Sequence, residues 1–225
     1  TVQKDKTHRV LALDLEWDTI VKRNGTISAH PKKIDLIQIA YMDDAYKFKC
    51  IIYQFNKSAD RSKCPSGLRS ILLENKVSLV GVGIHQDLAR INRAFGTVFN
   101  TSSLVNLGTE AKARNIIPCA RVSLASLVSV VLKEDMPKDH RLSKWSTSTL
   151  SPEQVQYAST DAIKSLQVYY AIQKYPDLTQ RLSITQITDG KSVDIVPSSG
   201  TLSNMISCAG VGIIKNLREI GRAHV

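Results

Sequence analysis

Asp14 and Glu16 stand two residues apart in HRVLALDLEW, so a strand there projects both carboxylates from one face with Val10 and Ala12. Leu11, Leu13 and Leu15 then fill the other face. Two carboxylates among apolar residues are costly unless a cation or hydrogen-bond donors stabilise them, and a divalent metal is one solution. A D-x-E pair alone is a weak signal, and a surface pair on an edge strand accounts for it better. Asp87 follows an apolar run ending in Gly83-Ile84, where a strand hands over to a helix, a favoured ligand position in sheets. Taken singly it also fits a first-turn acid complementing the helix dipole. Tyr157 and Asp161 in QYASTDA are four residues apart and share a helix face, and Asp161 between Ala158 and Ala162 is not there for helix propensity. Singly, the pair reads as a buried tyrosine with a surface acid. Jointly, three acidic positions at the ends or inner faces of core elements, with a tyrosine one turn from the last, point to a shared site.

The elements that must carry these residues are legible from periodicity. After the first strand comes a turn-like stretch with Asn24-Gly25, then DLIQIAYM (35–42) and FKCIIYQF (48–55), which the β-branched and aromatic content predicts as antiparallel neighbours of the first strand. GLRSILLEN after Pro65 is helical in pattern, and VSLVGVGI (77–84) is a short apolar run suited to a strand buried on both faces. Helical segments are expected from Asp87 onward, around 124–132 and over 151–174. Ser151-Pro152-Glu153-Gln154 marks the start of the last one with a capping residue, a first-turn proline and a glutamine three residues on. Strands first and helices later, with one α/β crossover, predict an α/β domain on a mixed sheet. Beyond Pro176 the β-branched, Ser- and Gly-rich segment predicts a short β-rich C-terminal appendage.

Composition narrows the class. The chain has 225 residues, 43% hydrophobic and 22% charged, which excludes disorder over most of its length and allows one hydrophobic core. No apolar run reaches the roughly 18 to 20 residues of a membrane-spanning helix, so no membrane association is expected. Thirty Lys and Arg against twenty Asp and Glu give a net charge of +10, a balance that favours polyanions such as nucleic acid. The four cysteines include no C-x-x-C pair. Free thiols predict an intracellular location, nuclear or cytoplasmic, although a chain beginning at Thr1 leaves its own N-terminus open.

The ordered set LALDLEW, LVGVGIHQDLARI and SPEQVQYASTDAIKSLQVYYAI resembles the DEDD superfamily of 3′-5′ exonucleases, in the branch with tyrosine in its third motif. Within that branch it looks most like the Werner syndrome type of exonuclease domain, from about His8 to Lys174. Any single motif is weak, whereas all three in order at compatible spacing are specific. The resemblance implies a ribonuclease H-like fold, a mixed sheet flanked by helices. It also implies two Mg²⁺ or Mn²⁺ ions held by Asp14, Glu16, Asp87 and Asp161, with Tyr157 orienting the attacking water. The expected activity is removal of nucleotides from the 3′ ends of DNA or RNA as 5′-monophosphates. One departure stands out: many relatives outside the Werner-like branch carry Asn shortly before the second-motif acid, where this chain has His85-Gln86. His85 is a candidate donor to phosphate or sugar in its place.

Oxygen ligands suit Mg²⁺ or Mn²⁺, and the lack of His and Cys ligands disfavours zinc. Candidate phosphate contacts are Arg90 and Arg93 after Asp87, with Lys138, Arg141 and Lys144 before the last helix; a solvated basic face explains each equally well. Trp17, directly after Glu16, is a candidate stacking platform for the terminal base or a core side chain. Two other readings carry distinct signatures. A non-catalytic nucleic-acid-binding or scaffold protein on the same fold would be expected to lack an acid, and none is missing. A small-molecule phosphohydrolase would need no basic channel.

The expected organisation is an exonuclease domain over 1–176 and a truncated appendage or start of another module over 177–218. The final seven residues, EIGRAHV (219–225), are the translation of a common sequencing-library adapter. The natural sequence is therefore expected to be represented only as far as about Arg218, as a fragment whose appendage lacks its partner strands and is poorly packed after about Leu182.

Overall fold

The structure, a computed structural model, describes residues 9–21, 27–29, 33–55, 63–74, 76–96, 98–99, 104–136, 143–177, 189–190, 192–195 and 210–213. It opens with β1 (Arg9–Glu16), the hairpin β2 (Thr19–Val21) and β3 (Ile27–Ala29), then β4 (Leu36–Met42) and β5 (Phe48–Gln54). Next come α1 (Ser66–Leu73), β6 (Val77–Gly81), α2 (Ile84–Phe95), β7 (Leu104–Asn106), α3 (Leu107–Ala113), α4 (Leu124–Leu132) and α5 (Pro152–Ile172). Two short strands, β8 (Ser192–Ile195) and β9 (Gly210–Ile213), complete the described chain. Among the described residues no helix is long and apolar enough to cross a membrane.

Five strands form one mixed sheet in the order β5-β4-β1-β6-β7. β1 pairs antiparallel with β4 and parallel with β6, which places it at the centre. β5 pairs with β4 rather than with β1, so only one of the two predicted neighbours touches the first strand directly. Leu13 and Leu15 point into a cluster with Ile37, Leu79, Leu88, Ile91 and Phe95, where α1 and α2 cover one sheet face. On the other face Leu36 packs with Trp145 and with Ala158 of α5. The period-two reading of β1 thus separates a purely apolar face from the face carrying both acids.

β6 ends earlier than the apolar run suggests. Gly83 adopts φ 72°, a left-handed conformation that suits glycine, and α2 begins at Ile84. The helix expected from Asp87 onward thus starts three residues earlier, and Asp87 lies in its first turn. The start of α5 follows the predicted capping box: the Gln154 amide N–H donates to the Ser151 hydroxyl at 3.2 Å, and the Ser151 N–H donates to Gln154 Oε1 at 3.0 Å.

The chain falls into two compact units, one of residues 1–107 with 122–171 and one of 108–121 with 172–225. The first holds the five-stranded sheet. In the second, Arg114 reaches the Glu110 carboxylate at 2.6 Å and Gln173 at 3.2 Å. The C-terminal segment, expected to lack partner strands, forms one antiparallel pair between β8 and β9. Residues 219–225 lie outside the described residues.

Candidate active site

β1 delivers Asp14 and Glu16 to the sheet face covered by α5, and α5 delivers Tyr157 and Asp161 to the same place. Ala158, Ala162 and Ser165 are all buried on α5, and these small residues let the helix backbone approach the sheet closely. Carboxylate oxygens of Asp14, Glu16 and Asp161 lie within 4.8 Å of one another, a spacing able to hold a metal ion. Asp87 is not one of this trio, but it is near enough for the Asp14 charge to act on it.

The electrostatics match that crowding. Burial pushes the Asp14 carboxyl up to about 6 against the N–H of Leu15, which favours ionisation. Burial and then the Asp14 charge hold Asp87 well above the usual carboxylate range, opposed by Arg90. Tyr157 is raised by burial, by the charges of Asp161, Glu16 and Asp14, and by its hydrogen bond to the Asp161 carboxylate. It keeps its proton at neutral pH. A cation among three close carboxylates relieves their mutual repulsion, and an all-oxygen donor set suits Mg²⁺ or Mn²⁺. The donor chemistry therefore fits the expected metal.

A cavity of about 480 Å³ opens on this cluster, lined by Asp14, Tyr157 and Asp161 and walled by Leu13, Val82, Leu124, Ala125 and Met136, with Ser123 and Ser165. Its size and mixed lining suit a small ligand or one end of a larger one. The walls from Ser123 and Met136 were not singled out from sequence. Ser123 signals a helix start, since its hydroxyl accepts the Ser126 N–H at 3.1 Å, but no pattern says what that helix end faces.

The other sequence candidates fall elsewhere. One face of Trp17 carries the Arg90 guanidinium, 3.6 Å from the ring centroid, and the indole packs against the main core cluster. Arg90 also donates to the Lys33 carbonyl at 3.0 Å, so its charge is engaged in holding α2 against the chain beyond β1. His85 and Arg93 are exposed on α2, and Lys144 is exposed ahead of α5. None of these lines the cavity among the described residues. Lys138 and Arg141 lie outside the described residues.

Comparison with known proteins converges on one group. A family model described as 3′-5′ exonuclease matches residues 1–176. A 3′-5′ exonuclease of Drosophila ananassae is 30% identical over 186 residues, covering 80% of the chain and 47% of that protein. The mouse bifunctional 3′-5′ exonuclease/ATP-dependent helicase WRN is 26% identical over 197 residues, covering 86% of the chain and 13% of that protein. The chain spans less than half the length of either relative. Among solved structures, Brucella melitensis NrnC superposes with a TM-score of 0.58 at 19% identity, over 76% of this chain and 75% of that one. Escherichia coli RNase D gives 0.53 at 19% identity, over 74% and 39%. These likenesses bear out the expected ribonuclease H-like arrangement of mixed sheet and helices.

Proposed function

The chain belongs to the 3′-5′ exonuclease family, and from that membership we propose that it hydrolyses the terminal phosphodiester bond at 3′ ends of DNA or RNA, releasing nucleoside 5′-monophosphates. The observation that carries the reading is the convergence of Asp14, Glu16 and Asp161 within 4.8 Å, with Tyr157 hydrogen-bonded to Asp161 in the lining of the cavity. Asp14, Glu16 and Asp161, with Asp87 beside them, would hold two divalent cations. When bound, such ions supply stabilisation of the charge that develops on the attacking and leaving oxygens of an in-line displacement.

The protein's own groups do the rest. The cavity receives the terminal nucleotide and limits water around it. Tyr157, kept protonated, positions the attacking water instead of taking its proton. Asp161 orients that tyrosine one turn away on the same helix. The flanking strand is held by phosphate contacts, for which Arg93, Lys138, Arg141 and Lys144 are the candidates and the net charge of +10 the general support. A structural neighbour, Brucella melitensis NrnC, has been solved bound to pGG and with Mg²⁺, which supports a nucleic-acid substrate and a divalent cation here.

The test is a gel assay of end-labelled single- and double-stranded DNA and RNA oligomers with Mg²⁺, Mn²⁺ or a chelator. We expect 3′ to 5′ laddering that chelation abolishes, with mononucleotide esters turned over far more slowly than oligomers. Asp14→Ala and Asp161→Ala should be inactive yet folded, and Tyr157→Phe slower by about 10²-fold, within the range for positioned catalytic groups. Robust cleavage by folded Asp14→Ala would overturn the site assignment.

A further inference from the structure

Glu16 and Tyr157 come from distant parts of the chain, and the residue that fastens these parts together is Asp18. Its Oδ1 accepts the Trp145 N–H at 2.6 Å and the Ser146 N–H at 2.9 Å. Its Oδ2 accepts the Ser146 hydroxyl at 2.5 Å and Lys33 Nζ at 3.0 Å. The Asp18 N–H donates to Asp35 Oδ2 at 3.0 Å, and Lys33 bridges to that same buried oxygen at 3.0 Å. One carboxylate thus satisfies four donors from two segments. Charge-assisted hydrogen bonds of this length are the strong, direction-setting kind.

The fastened loop leads directly to the tyrosine. Trp145 is fully buried with Leu36 and Ala158, and its ring centroid lies 6.0 Å from that of Tyr157 with 36° between the planes. The same loop is tied to the first turn of α5, where Gln154 Nε2 donates to the Lys144 carbonyl at 3.1 Å. On its other side Asp18 is only two residues from Glu16, so its position and that of the Glu16 backbone are set together. A rigid connection therefore runs from the end of β1 through Asp18, Trp145 and the ring of Tyr157 to the hydroxyl beside Asp161.

We propose that Asp18 is a positioning residue for the exonuclease reaction: by clamping Trp145-Ser146 to the end of β1 it holds the Tyr157 hydroxyl in register with the Asp14, Glu16 and Asp161 carboxylates. The proposal rests on the functional reading above. It predicts that Asp18 acts through Tyr157 and not through the metal ligands. Small displacements of a positioned group lower the rate without weakening substrate binding.

The test is a double-mutant cycle on the full chain. Asp18→Asn keeps the shape and one acceptor but turns a donor toward Lys33 and the Ser146 hydroxyl; Ser146→Ala removes the hydroxyl arm alone and protects the test against a poorly folded Asp18 variant. With an oligonucleotide substrate, Asp18→Asn should lower kcat about tenfold and Ser146→Ala a few-fold, with KM within about twofold. Mn²⁺ affinity measured by calorimetry without substrate should stay within about twofold of wild type, and the near-UV circular dichroism of the Trp145-Tyr157 pair should change. In a Tyr157→Phe background, Asp18→Asn should cost less than about twofold more, because the group it positions is already gone. A full tenfold loss in that background, weakened Mn²⁺ binding, or wild-type kcat in Asp18→Asn would overturn the proposal. Wild-type kinetics in Tyr157→Phe, or no nuclease activity in the wild-type chain, would instead bring down the functional reading on which it stands.

Discussion

Lys33→Met removes the cation that bridges the Asp18 and Asp35 carboxylates, and the network sets its cost. Lys33 Nζ sits 3.0 Å from Asp18 and 3.0 Å from Asp35, whose side chain is 0% exposed, while Lys33 itself is 29% exposed. Breaking a fully buried pair by deleting one partner costs about 3 to 5 kcal/mol, and partial exposure of the lysine brings this case to about 2 to 3 kcal/mol. For a domain of this size that is a fall in Tm of about 5 to 10 °C. The loss should depend on pH. Burial alone would raise the Asp18 carboxyl, but hydrogen bonds from the Ser146 hydroxyl, Lys33 and the Ser146 N–H, with the Lys33 charge, bring it down to about 2. A depressed carboxyl contributes stability that is fully present above its unfolded value of about 3.9 and is lost as pH falls through the folded value. Lys33→Met forfeits part of that contribution, so its gap from wild type should be full at pH 6 and narrower at pH 3. Urea melts of both proteins at the two pH values measure this. A gap below about 0.5 kcal/mol at pH 6, or an equal gap at both pH values, would refute the reasoning.

Gly81→Ala should destabilise the fold by about 1 to 3 kcal/mol, because the added methyl would meet the Leu13 carbonyl at 3.1 Å and Ile84 Cδ1 at 3.3 Å, and the carbonyl belongs to the strand carrying Asp14. Thermal melts check the stability; an unchanged Tm would show that β1 yields at no cost. Gln38 is fully buried and neither amide atom has a hydrogen-bond partner among the described residues, so Gln38→Met should leave stability unchanged or raise it by about 1 to 2 kcal/mol in urea melts. A clear loss would reveal a satisfied amide. Cys50, pushed up to about 11 chiefly by burial and further by Asp14, should alkylate with iodoacetamide at pH 8 far more slowly than exposed Cys119, as read by peptide mass mapping. Comparable rates would contradict the burial of Cys50.

The parts of this molecule that could be read in advance are those where one residue type repeats at a fixed period or where a side chain carries rare chemistry. β1, β4, β5 and α5 announce themselves by alternation or capping, and Asp14, Glu16 and Asp161 are out of place by polarity alone. The end of β6 could not be read, because the apolar run continues through Ile84 and only the left-handed turn at Gly83 separates strand from helix. β7 is three residues long and half-buried, too short for a periodic signal. Arg90 and Trp17 suggested phosphate and base contacts, yet α2 crosses the end of β1 so that they lie on each other. Asp18 gave no signal at all. Two of its four donors are backbone N–H groups, which every residue but proline possesses, and the identity of all four depends on tertiary placement.

The hydrogen bond from Trp145 to Asp18 spans 127 residues of sequence, which gives the site a place in time as well as in space. Synthesis at roughly 5 to 20 residues per second separates the two ends of that bond by roughly 6 to 25 s. During this interval β1, β4 and β5 can pair, since their contacts are local, but Asp14 and Glu16 face a surface that α5 has not yet covered. The nascent chain therefore carries the carboxylates of Asp14, Glu16 and Asp87 without Asp161 or a positioned Tyr157 until α5 docks. The candidate site is thus assembled only after α5 has been synthesised, and proteolytic loss of α5 would leave the central strands paired without Tyr157 and Asp161.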